Sequence, residues 1–177
     1  LLKKEIDKLN KALEPGVNSY NWHSLGIKNF IENCRKALKD FDSIKQRVYK
    51  QKDMIEERVK MIEEAKLVIE LDWSKNSEEE IMDLNEFYEL FENHRQKVAD
   101  ELFGKFEEIS DNLVSIEEIT LGHKSKAAKD MEKYYGYWEI RLFNAITTMT
   151  IRALLSLKSL FSKNSNRKPL FKITSSY

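Results

Sequence analysis

The side chains best suited to chemistry are few and scattered. His23, His94 and His123 fall on three separate segments, and the single cysteine, Cys34, is near none of them in a ligand spacing. A structural zinc site draws four nitrogen or sulfur donors together at short, characteristic intervals, and no such interval occurs. Cys34 would be a nucleophile only beside a base that holds the thiolate, and the sequence places none there. It reads as a small buried hydrophobe. His94 falls on an apolar helical stripe and reads as a core or boundary histidine. A carboxylate metal centre in a helical bundle needs Glu-x-x-His pairs on facing helices. Phe91 stands three residues before His94 and Thr120 three before His123, so that pattern fails. The 30 Asp and Glu residues are spread along helix faces, where no two single themselves out as general acid and base. The five glycines are isolated and neither Gly-Lys-Ser nor Gly-Lys-Thr occurs, which excludes a P-loop from these residues. No catalytic, cofactor-binding or metal-ligating residue is assigned.

Composition narrows the class further. The chain has 177 residues, 41% hydrophobic and 34% charged, with five Gly and two Pro, a balance that favours long amphipathic helices. Its 30 basic and 30 acidic residues cancel, leaving no global field to attract nucleic acid or an anionic membrane. Lys158, Lys163, Arg167, Lys168 and Lys172 make the C-terminal end locally basic, but no exposed aromatics interleave them, and they read as a solvated loop. One cysteine permits no intrachain disulfide and fits a reducing, intracellular compartment. The opening Leu1-Leu2-Lys3-Lys4-Glu5 forms no signal peptide. With no initiating Met and an abrupt stop at Tyr177, the chain reads as an excerpt from a longer polypeptide.

The elements that would hold these residues are helices. Leu2, Ile6, Leu9 and Leu13 mark a narrow stripe on a first helix, predicted to end before the Pro15-Gly16 breaker. After a polar turn carrying Trp22, apolar residues recur at Ile27, Phe30, Ile31, Cys34, Leu38, Phe41 and Ile44, three and four apart. This second helix is predicted to start near Ser24, whose hydroxyl would cap it, and to run to about Leu71, roughly 70 Å at 1.5 Å per residue. Its charged middle, Lys45 to Glu64, should be solvent-exposed over most of the circumference. Asp72 to Asp83 is a connection with two capping-box candidates, Ser77 with Glu80 and Asp83 with Glu86. A third helix carries Phe87, Leu90, Phe91, His94, Val98, Leu102, Phe106, Ile109, Leu113 and Ile116. Gly104 within it allows a bend or a close contact. Gly122 is suited to the left-handed end position. The fourth helix, about Ser125 to Ser162, is apolar on nearly every side from Trp138 to Phe161. Arg141, Arg152 and Lys158 interrupt it, which favours a buried bundle helix over a membrane span. Leu170 to Thr174 opens an extended segment whose partners lie outside the chain. Together these predict an all-α fold, an elongated antiparallel bundle of long helices. Residues 1–14 close a preceding helix, 15–162 form the bundle and 163–177 lead into the next segment.

Three ordered segments resemble the N-terminal tail, or stem, of dynein heavy chains. They are Pro15-Gly16 through Trp22, Ser24-Leu25-Gly26-Ile27 and Phe30-Ile31; then Tyr134-Tyr135-Gly136-Tyr137-Trp138-Glu139, Arg141 to Ile146 and Arg152-Ala153-Leu154; then Asn166 to Ile173. Arg141 to Ile146 and Asn166 to Ile173 look more like axonemal than cytoplasmic members. The resemblance implies a non-catalytic piece of a stalk-like tail that transmits force and displays assembly surfaces. Implied partners are dynein intermediate and light chains, other dynein heavy chains, and docking factors or the doublet microtubule. Nucleic acid and membrane are not among them. ATP and Mg would belong to a ring-shaped AAA ATPase motor elsewhere in the full chain, and the location would be cytoskeletal, in the axoneme of a cilium or flagellum. Within this frame Trp22, Ile27, Phe30 and Ile31 are expected to fix one junction, and Trp138, Phe143, Ile146 and Leu154 to form the central core. A helical scaffold or tethering subunit of another cytoplasmic complex is the alternative reading.

Overall fold

The computed structural model describes residues 2–21, 23–69, 82–121, 128–163 and 171–172. The fold is all-α. Four helices follow in order, α1 Lys3–Ser19, α2 Ile27–Glu64, α3 Leu84–Leu121 and α4 Ala128–Lys163, with two-residue strands β1 Met82–Asp83 and β2 Phe171–Lys172. Two compact units divide the residues: Leu1–Glu57 with Glu108–Glu139, and Arg58–Glu107 with Ile140–Tyr177.

In the first unit the core is built from Cys34, Val48, Ile55, Ile109, Ile116, Met131 and Trp138. Val48, Ile55 and the half-buried Ile44 lie on the predicted α2 stripe, and the residues between them are exposed or half-buried. Its exposed side carries i,i+4 pairs such as Lys52 with Glu56 at 3.1 Å, the kind of contact that supports a helix by tenths of a kcal/mol. α1 lies against α2, where the Cys34 thiol is 3.5 Å from the Ala12 carbonyl. The first helix does not stop at Pro15: it continues to Ser19. Proline's fixed φ is itself helical, so Pro15 removes one amide donor without forcing the chain out.

The entry to α2 also differs from expectation. The Ser24 hydroxyl accepts the Asn21 amide at 3.0 Å and donates to Asn21 Oδ1 at 3.2 Å, so it braces the turn behind it and the helix begins at Ile27. The aromatic packed on this entry is Tyr20, stacked on Phe30 with ring centroids 5.0 Å apart. A Cβ on Gly26 would come 3.1 Å from the Tyr20 ring, so glycine gives the ring its seat. Trp22 lies outside the described residues.

In the second unit Val59, Ile62, Ala145 and Met149 are buried. α2 stops at Glu64, short of the predicted Leu71. Continuing the helix would require the residue 67 amide to take the Glu63 carbonyl. That carbonyl instead accepts Arg152 Nη1 at 2.7 Å, while the Ala65 amide tightens onto the Ile62 carbonyl at 3.2 Å. A cation at a helix C-terminus also meets the negative end of its dipole. α3 opens with the Asp83–Glu86 capping box: the Asp83 amide donates to Glu86 Oε2 at 3.2 Å, and Asp83 Oδ2 accepts the Asn85 amide at 3.3 Å. Ser77 and Glu80 lie outside the described residues, as does Gly122. β1 and β2 pair in parallel, Met82 with Phe171 and Asp83 with Lys172. The extended segment near the C-terminus thus finds its partner inside the chain, ahead of α3.

Candidate functional site

Among the described residues no group of three His, Cys, Asp or Glu side chains is placed to hold a metal ion. His94 is half-buried on α3, as its stripe position implies. Its Nε2 is buried without a hydrogen-bond partner among the described residues. It lines an open groove of about 400 Å³ in the second unit with Met61, Lys97, Val98, Glu101 and Leu102. His123 lies outside the described residues. Cys34 is buried and free.

The perturbed groups serve structure. The Tyr135 hydroxyl donates to Glu117 Oε2, tying α4 to α3 in the first unit. Burial, then the hydrogen bond and charge of Glu117, push this phenol up from 10.0 to about 12. Burial likewise raises the Tyr134 phenol, with the neighbouring Trp138 indole acting against it. Among the described residues neither Tyr134 Oη nor Trp138 Nε1 reaches a partner of hydrogen-bonding geometry, although their rings meet edge to face at 6.1 Å. On the exposed side of α3, the Glu92 carboxylate and Arg95 guanidinium hydrogen-bond, which lowers the first and raises the second.

What remains is surface, and α4 presents a cluster of exposed apolar side chains. In the second unit Ile140, Phe143, Ile151, Leu154 and Leu155 are 64%, 69%, 53%, 60% and 60% exposed. On a helix of 3.6 residues per turn, Ile140, Phe143, Thr147, Ile151 and Leu154 share one side, and buried Ala145 and Met149 the other. The spacing of the outer set, three and four apart, is that of a seam between helices. Thr147 Oγ1 donates to the Phe143 carbonyl and Thr150 Oγ1 to the Ile146 carbonyl, both at 2.8 Å. Their donors are satisfied within the helix, so covering this face would strand neither of them.

This overturns part of the expected central core. Trp138 is 2% exposed as predicted and Ile146 half-buried, but Phe143 and Leu154 face outward. All-round apolar character suggests neighbours on all sides, whereas among the described residues the buried positions of α4 are on one side. The sequence signal that distinguishes the two sides is the second stripe itself, overlaid on the first. By length and mean hydropathy alone, Met131–Ser159 is apolar enough to cross a membrane. It also holds Glu132, Lys133, Glu139, Arg141, Arg152 and Lys158, and charges are costly at bilayer depth.

No protein-family model matches the chain. Two curated relatives do. The dynein-1-alpha heavy chain of the flagellar inner arm I1 complex of Chlamydomonas reinhardtii is 36% identical over 98% of this chain and 4% of its own length. The axonemal dynein heavy chain 10 of Homo sapiens is 30% identical over 97% of this chain and 4% of its own length. The chain thus spans about 4% of the relatives it matches. Both carry flagellar or axonemal names, in keeping with the axonemal location expected from the resemblance. Aligned from end to end at these identities, the chain is homologous to a short segment of axonemal dynein heavy chains, the family its ordered motifs resembled.

Proposed function

We propose that this chain is a non-catalytic segment of the N-terminal tail of an axonemal dynein heavy chain, a microtubule-based, ATP-driven motor. Its long helices form a scaffold, and residues 15–162 make up the bundle proper. It supports assembly with intermediate and light chains and with other heavy chains, and docking on the doublet microtubule. It also carries load between that attachment and the motor, where ATP and Mg are used. The observation that carries this reading is the uncovered α4 face in a chain homologous to heavy chains almost from end to end. Apolar stripes of this kind mark protein contact sites. Packed helices suit load-bearing because their buried stripes must stay in register, so the bundle resists bending.

The test uses the full-length heavy chain carrying Ile151→Glu and Leu154→Glu together. Microtubule-stimulated ATP turnover should be unchanged, while incorporation into axonemes falls by about tenfold or more, as expected when central apolar contacts are lost. Loss of ATP turnover with incorporation intact would place the segment in the motor and end the scaffold reading.

A further inference from the structure

We propose that the outer face of α4 from Ile140 to Leu155 seats an acidic amphipathic helix of a partner chain. The proposal rests on reading this face as an assembly surface, and adds the chemistry of what covers it. Ile140, Phe143, Thr147, Ile151 and Leu154 recur three and four apart over about 21 Å of helix axis, apolar at every position but Thr147, the repeat that a second helix matches along its length. Threonine donors on the face are spent on the helix's own carbonyls, so a dry interface strands none of them.

Charge selects the occupant. From Ile140 to Tyr177 the chain has seven basic residues, Arg141, Arg152, Lys158, Lys163, Arg167, Lys168 and Lys172, and no Asp or Glu. The overall neutrality therefore conceals a cationic C-terminal stretch. Arg141 flanks the stripe, Lys158 stands at its C-terminal end, and both are exposed. Neither makes an ion pair among the described residues, unlike Lys52 and Arg95, which hold carboxylates of their own helices. A helix with apolar residues at the same repeat and Glu or Asp beside them would satisfy both the stripe and its rim. A basic one would be repelled.

The experiment uses the purified 177-residue chain and two synthetic helical peptides of about 21 residues, long enough to cover the stripe. They share Leu at the three-four positions, with Glu flanking in one and Lys in the other. By fluorescence anisotropy at low salt, the Glu peptide should bind at least tenfold more tightly than the Lys peptide. Ile151→Glu with Leu154→Glu should abolish that binding. Arg141→Glu with Lys158→Glu should reverse the preference, a gain that a misfolded variant cannot produce. Equal affinity for the two peptides, or no binding of either, overturns the proposal. So does recruitment to phosphatidylserine vesicles without peptide binding, which would make the face a membrane surface. Self-association lost in Ile151→Glu with Leu154→Glu, again without peptide binding, would make a second copy the occupant. If the peptides behave as expected while the full-length variant still enters axonemes, the assembly reading fails and the acidic-helix preference stands.

Discussion

Trp138 is the largest fully buried side chain of the first unit's core, yet its indole N–H has no acceptor among the described residues. Its value is therefore volume. Trp138→Ala should cost about 3–5 kcal/mol in urea unfolding, because neighbours collapse only partly into the space left. Trp138→Phe, which keeps most of the volume and deletes an unsatisfied donor, should cost less than about 1.5 kcal/mol. If the two variants were equally destabilised, packing could not be the reason. Tyr135 works in the opposite sense, through its hydroxyl. Since the native state holds this proton more tightly than the ordinary 10.0, its contribution is complete below pH 10 and lost as pH rises through about 12. Tyr135→Phe should lower stability by about 1 kcal/mol at pH 8. The gap between the two proteins should then narrow from pH 10 upward, and a gap constant to pH 12 would show that the Glu117 contact is not responsible.

At the level of elements, the two mid-helix glycines separate local preference from packing. A Cβ on Gly104 or Gly136 would meet nothing within 4 Å, so neither permits the close approach considered for Gly104. Gly104→Ala and Gly136→Ala should each stabilise the chain by about 0.5–1 kcal/mol, read from the urea midpoint. A destabilisation would reveal a contact or bend that needs the glycine. Helix identities were legible from periodicity, because an amphipathic stripe is written every three or four residues. Their ends were less so. Pro15 looked like a terminus and is not one, and α2 ends where no residue type within it announces a stop. The Asp83–Glu86 cap could be read from sequence only as one of two options, since either would satisfy the same orphan amides.

Across the whole chain, the class and family were readable because ordered packing motifs persist where no single residue is diagnostic. The exposed side of α4 was not, because hydrophobicity reports what a side chain would gain from cover and is silent on whether a neighbour supplies it. Phe143 and Met149 look alike in composition, and only the fold separates them. The same limit applied to β1 and β2, whose two-residue pairing joins sequence positions too distant for any local pattern to link. Electrostatics gives a whole-molecule expectation: a neutral sum hides a cationic C-terminal stretch, so association through α4 should weaken steeply as salt rises toward physiological strength. Salt-insensitive binding would leave the stripe alone responsible.

The guanidinium of Arg152 meets a carbonyl 89 positions earlier in the chain. During synthesis, the close of α2 therefore emerges from the ribosome well before the side chain that fixes it has been made. Until α4 is made, the Glu63 carbonyl lacks this partner. A chain interrupted before Arg152 should accordingly show a longer second helix than the finished protein.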